Sequence, residues 1–172
     1  MVHADASNFA EGVTKEDAYE QVLWQAEDIL DSLFDPLQFL GLQSFKCRLS
    51  EVNWAGFYVL DKSSKEPQLI LGPFQGKVAC QTIKFGKGVC GTAAATHETQ
   101  LVRDVEGFPG HIACDGDSKS EIVVPILVAQ DDGSKKLVAI IDIDCAELNG
   151  FDEVDKENLE QLAALLATSC DW

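Results

Sequence analysis

Residues 121–145 read EIVVPILVAQDDGSKKLVAIIDIDC, and this stretch decides the fold. Two apolar runs, Glu121–Ala129 and Lys136–Cys145, flank Gln130–Lys135. The Asp132–Gly133 pair between them is a strong hairpin signal, because Asp and Gly tolerate the positive φ of a tight reversal. Near its end the second run carries two acids, Asp142 and Asp144, at period 2. Alternate residues of a strand share a face, so both carboxylates point to one side and Ile141, Ile143 and Cys145 to the core. Val138 and Ile140 are expected on the acidic side, which would leave the carboxyls partly desolvated and raise one pKa through like-charge repulsion. The alternative is a sheet face with two solvated acids.

Upstream, Trp54–Leu60, Gln68–Phe74 and Lys77–Phe85 also read as strands. Thr14 predicts an N-cap, with Asp17 in the capping-box position. Ala18, Val22, Ala26, Ile29, Leu30 and Leu33 then follow at helical spacing. Asp35–Pro36 interrupts that helix, since the residue before proline leaves the helical region, and a second helix can restart over Leu37–Leu49. Asp152 is placed to cap a closing helix with Val154, Leu159, Leu162, Leu166 and Ser169 on one stripe. Helix, antiparallel strands and helix make an α+β domain with a central antiparallel sheet flanked by N- and C-terminal helices. Residues 1–13 are expected to form a loose arm and residues 14–172 a single domain.

Composition narrows the function classes. Asp plus Glu outnumber Lys plus Arg by 29 to 13, for a net charge of −16. A surface this acidic repels phosphate backbones and anionic lipid, so neither nucleic acid nor a membrane is an expected partner. Met1–Gly12 lacks the basic start and apolar run of a secretion signal, so a cytoplasmic location is expected. In a reducing compartment the six cysteines suggest redox or metal chemistry together with some buried thiols.

Three of those cysteines, Cys80, Cys90 and Cys114, fall in the Gly- and His-containing stretch from Pro73 to Glu121. Val89–Glu98 reads as a short helix entered through Gly86-Lys87-Gly88, which puts Cys90 in its first turn. Unpaired N–H groups and the helix dipole there favour a thiolate; the alternative is a small residue packing the helix. Cys114 lies on the long connection Asp104–Ser120, three residues after His111, and is either polarised by that His or an ordinary loop cysteine. Cys80 is open between a core thiol and a pocket thiol, whereas Cys47, Cys145 and Cys170 read as core thiols. Glu121 is a third acid, at the mouth of the strand beside Asp142 and Asp144. Trp54, Gly56 and Tyr58 share one strand face; core packing is the usual fate of such aromatics, and the alternative is that Gly56 between two large rings leaves room for a ligand. Aromatic wall, carboxylates and thiols suggest a pocket for a small cationic or zwitterionic molecule. No C-x2-C pair is present and only His111-x2-Cys114 has close ligand spacing, so no bound metal and no cofactor are expected.

Taken together, VNWAGFY at 52–58, LGPFQGKVAC at 71–80, GKGVCGTAA at 86–94, FPGHIACD at 108–115, SEIVVPI at 120–126 and DID at 142–144 resemble the free methionine-(R)-sulfoxide reductase family, a branch of the GAF fold. The resemblance runs from about Thr14 to Ala167. It implies a GAF-like catalytic domain, often homodimeric, that reduces the free amino acid and prefers the R epimer. It implies that Cys114 is the attacking thiol, with Cys80 and Cys90 its partners in disulfide exchange and a thioredoxin-type dithiol as reductant. Trp54, Tyr58, Glu121, Asp142 and Asp144 would form the substrate pocket, a carboxyl at Glu121 or Asp142 supplying a proton and Trp54 packing the S-methyl group. The competing reading is a GAF module that senses a small ligand without catalysis.

Overall fold

A computed structural model describes residues 14–30, 51–77, 79–112 and 116–172. Six strands form one antiparallel sheet: β1 (Val52–Leu60), β2 (Gln68–Gln75), β3 (Thr82–Lys84), β4 (Gln100–Val102), β5 (Ser120–Ala129) and β6 (Lys135–Cys145), in the order β3-β2-β1-β6-β5-β4. The expected hairpin is the middle of this sheet. Its turn closes through Gly133 N–H donating to the Gln130 carbonyl at 2.9 Å, with Gly133 at φ +81° and Asp132 Oδ1 accepting from Ser134 N–H. Pro125 is tolerated within β5 because it lies beyond Val123, the last β5 residue in register with β4.

One face of the sheet is covered by α1 (Lys15–Leu30) and α3 (Glu153–Ser169). The cap of α1 is the one expected: Thr14 Oγ1 accepts from Asp17 N–H at 3.2 Å, and Asp17 Oδ2 accepts from Thr14 N–H at 3.1 Å. Ala18 and Ala26 are buried, while the side chains of Ile29 and Leu30, Leu33, the Asp35–Pro36 break, the helix expected over Leu37–Leu49 and the arm at 1–13 lie outside the described residues. Asp152 caps α3 by accepting from Val154 and Asp155 N–H, and Asp155 returns the bond to Asp152 N–H at 2.7 Å. Leu159, Leu162 and Leu166 bury the expected stripe, but its ends differ. Ser169 is exposed and Val154 only half-buried, while Asp155 is fully buried, accepting from Tyr19 Oη at 2.9 Å and Lys15 Nζ at 2.6 Å. That polar node ties α1 to α3 above an apolar layer of Ile122, Val124, Ile126, Ile141 and Ile143.

The opposite face is covered by α2 (Gly88–Thr96), a helix of small residues that lies close to the chain before it. A Cβ at Gly91 would collide with the Lys84 carbonyl, so only glycine permits this approach. Among the described residues no helix is long and apolar enough to cross a membrane.

Two expectations are corrected, and one strand is added. The strand expected over Lys77–Phe85 shrinks to Thr82–Lys84, because Gly76 at φ +137° turns the chain off the sheet and the Lys77 carbonyl accepts from Trp54 Nε1 at 3.1 Å. Val78 is outside the described residues. In β6 the alternation slips: Ile126 pairs Ala139 but Leu127 pairs Leu137, so one extra residue enters the ladder. As a result Leu137, not Val138, joins Ile140 on the acidic face, and Val138 packs with the opposite cluster. Finally, β4 forms from a run too short to be read as a strand, pairing Gln100–Val102 with Glu121–Val123.

Candidate active site

The register of three strands assembles the acids. Across β1, β6 and β5 one row reads Trp54–Asp144–Glu121 and the next Gly56–Asp142–Val123, all on the face beneath α2. Glu121 is therefore diagonal to Asp142 on the neighbouring strand, within reach of a carboxyl side chain. From above, the first turn of α2 lowers Cys90 onto the pair, with Cys90 Sγ 3.5 Å from Glu121 Oε1. Glu121 and Asp142 are 6% and 5% exposed, and Asp142 Oδ1 is a buried oxygen without a hydrogen-bond partner.

This floor opens into a cavity of about 360 Å³, walled by Tyr58, Cys80, Gly88, His111 and Ile112, with Lys84 and Lys87 at its rim. Asp144 also lines it and is half-buried. Cys80 is disulfide-bonded, whereas Cys90 and Cys145 are free thiols. Cys145 is buried in the cluster beneath α1 and α3, and Cys170 packs against that cluster, as core thiols should. Cys47 and Cys114 lie outside the described residues. The flanks of Cys114 in sequence, His111, Ile112 and Ser118, all line the cavity.

Electrostatics make this an acid store. Burial, followed by the charges of Asp142 and Asp144, pushes the Glu121 carboxyl well above the usual range. Asp142 rises to about 6, chiefly from burial, with the contacts to Cys90 and Glu121 pulling the other way. Of the two, Glu121 is thus the carboxyl that more readily keeps its proton. The expectation for Cys90 is overturned: burial first, then Asp142 and Glu121, push its thiol well above the ordinary range. Two carboxyls in contact outweigh a nine-residue helix whose dipole contributes a fraction of a charge. Cys90 is a thiol, held as a hydrogen-bond donor. The same burial and acids raise the Tyr58 phenol, which stays protonated.

Of the sequence-predicted site residues, the structure brings Tyr58, Cys80, Cys90, Glu121, Asp142 and Asp144 together on one cavity. Trp54 stands behind that wall. It is 1% exposed, is absent from the cavity lining, and stacks on Tyr58 and Phe74 at 5.8 and 5.7 Å between centroids. Nor is there room for a ligand over Gly56, because a Cβ there would meet Trp54 Cη2 at 2.5 Å and Phe74 Cβ at 2.6 Å. The indole itself fills that space. Lys87 and Ile112 were not singled out from the sequence; the signal for Lys87 was its place between two glycines at the entry to α2.

Fold and pocket first define a class. A family profile described as GAF domain matches residues 14–169. A solved structure described as the structure of the GAF domain superposes with a TM-score of 0.89 at 50% identity, covering 100% of this chain and 98% of the other. The free methionine-R-sulfoxide reductase of Saccharomyces cerevisiae is 53% identical over 98% of this chain and 94% of its own length. The free methionine-R-sulfoxide reductase of Neisseria meningitidis, solved in complex with its substrate, aligns with a TM-score of 0.80 at 37% identity over 95% of each chain. The chain belongs to the free methionine-(R)-sulfoxide reductase family of GAF domains.

Proposed function

We infer that this protein reduces free L-methionine (R)-sulfoxide to L-methionine, with residues 14–172 acting as one catalytic domain. The observation that carries the reading is the buried acid pair under Cys90, in the floor of a cavity that is also lined by the disulfide-bonded Cys80. A free amino acid brings an ammonium, which matches Asp142 and Asp144 in charge. Tyr58, braced by Trp54, forms the wall for the substrate's S-methyl end.

Chemistry follows from the protonation states. The Cys114 thiolate attacks the electrophilic sulfur of the sulfoxide while neutral Glu121 gives its proton to the sulfoxide oxygen. The oxygen passes to Cys114, methionine leaves, and Cys114 is a sulfenic acid. The Cys80 thiol then attacks that sulfur, a disulfide forms and the oxygen departs as water. A thioredoxin-type dithiol reduces the Cys80–Cys114 bond and is itself oxidised, which balances the two electrons taken by the substrate. Such recycling suits the cytoplasm, where dithiol reductants are maintained. A homodimer is compatible with this scheme, and no step of it needs a second copy.

The assay is methionine release from the separated free epimers. The R epimer should react and the S epimer should not, and Cys114→Ser should drop release to background with the fold intact, because a hydroxyl is a far poorer nucleophile than a thiolate. Release near the wild-type level from that variant would remove Cys114 as attacker. Cys80→Ser, pre-reduced, should still yield about one methionine per enzyme, since resolution follows the chemical step, but should turn over poorly with thioredoxin. Normal turnover would move the resolving role to another thiol.

A further inference from the structure

The floor of the cavity is also a metal-binding geometry that no motif spacing reveals. Cys90 from α2, Glu121 from β5 and Asp142 from β6 each present one donor atom, and these atoms lie within 4.8 Å of one another with all three residues buried. Tetrahedral zinc, with Zn–S about 2.3 Å and Zn–O about 2.0–2.2 Å, sets its donors roughly 3.5 Å apart. The Cys90 Sγ to Glu121 Oε1 separation is already 3.5 Å, and an Asp142 oxygen lies within 4.8 Å of both. A second observation points to a ligand: Asp142 Oδ1, on a residue 5% exposed, has no hydrogen-bond partner. Among the described residues no Lys, Arg or His forms an ion pair with Glu121 or Asp142, so nothing basic has to be displaced.

We propose that Cys90, Glu121 and Asp142 bind a thiophilic divalent cation, zinc or cadmium, from the cavity side, and that the bound metal blocks the enzyme by occupying the substrate's ammonium site. The three side chains supply one sulfur and two oxygens, and a water from the cavity completes the tetrahedron. Binding replaces the Cys90 thiol proton and the Glu121 carboxyl proton, so protons are released and the site keeps one net negative charge in place of the acid store. Thiolate ligation sets the selectivity: zinc and cadmium bind, whereas magnesium and calcium, which require oxygen donors, do not. The metal is an inhibitor here rather than a cofactor. Only the competition with substrate rests on the reductase reading; binding itself is independent of it.

The test uses the full chain, reduced and then freed of reductant, titrated with Co²⁺ as a spectroscopic stand-in for zinc. A thiolate-to-cobalt charge-transfer band saturating at one metal per chain is expected, and Zn²⁺ should bleach it. Cys90→Ser should abolish the band, and Asp142→Asn should weaken binding by at least about tenfold. Cys114→Ser and Cys170→Ser should keep both band and affinity, and circular dichroism would show that each variant is folded. A band that survives in Cys90→Ser, or one lost only in Cys114→Ser, would overturn the site, as would cobalt binding without any thiolate band. In the second arm, free methionine sulfoxide should displace the metal. Metal binding without displacement would sustain the site and contradict the placement of the ammonium at Asp142, so the two failures are distinguishable.

Discussion

The two faces of the β5–β6 hairpin use the same residues of backbone for opposite ends. On the face beneath α1 and α3, Ile122, Val124, Ile141 and Ile143 meet Leu159, Leu162 and Leu166, and the buried carboxylate there, Asp155, accepts from Lys15 and Tyr19. On the face beneath α2, Glu121 and Asp142 are nearly as buried, yet Asp142 Oδ1 lacks a partner and both acids have raised pKa values. One side holds the domain together. The other stores protons in a strained electrostatic state that favours catalysis over stability.

The comparison is broken most severely on the pocket side. Glu121→Gln keeps volume but removes the acid, and should lower kcat by about 10²- to 10⁴-fold, the usual loss for a general acid. Asp142→Asn should act more on KM, because it weakens the ammonium contact. Wild-type kinetics in both amide variants would show that the pocket face is not the reacting face.

The opposite face should answer the other way. Ile143→Ala, fully buried against the helices, should lose about 2–5 kcal/mol of unfolding free energy in denaturant titrations. Its kcat and KM, measured where the protein remains folded, should change little. A large kinetic effect with unchanged stability would erase the division between the faces.

The smallest effect tests the stored strain directly. The folded pKa of Asp142 lies near 6, above the 3.8 of the ordinary group, so the folded state prefers its protonated form. Its contribution to stability is complete below about pH 4 and is lost as pH rises through about 6. Asp142→Asn cannot ionise, so its stability relative to wild type should improve between pH 4 and pH 8, by an amount on the order of 1–3 kcal/mol. A stability difference that is flat with pH would mean the carboxyl is not desolvated.

How much of this was readable from residues alone depends on the range of the interaction. The hairpin at Asp132–Gly133 and the caps at Thr14 and Asp152 form as expected, because turn and cap chemistry is settled within about four residues. The period-2 acids were legible for the same reason: a strand imposes which side chains share a face. The slip between Leu137 and Val138 was not, since an extra residue in a ladder is set by pairing with Ile126 and Leu127 on the partner strand.

By itself the sequence determined the α+β class, the central hairpin, the capped helices and the shared side of Asp142 and Asp144, all consequences of local backbone chemistry. Only the tertiary structure decided what those residues became. It put the Trp54 indole over Gly56 and behind Tyr58, filling space that a glycine between two rings had suggested was open. It also set Cys90 against Glu121, reversing the direction of the thiol's pKa from that of an isolated helix start. A pKa and a cavity depend on desolvation and on charges brought within a few ångströms by distant parts of the chain, and no spacing along the chain carries that information.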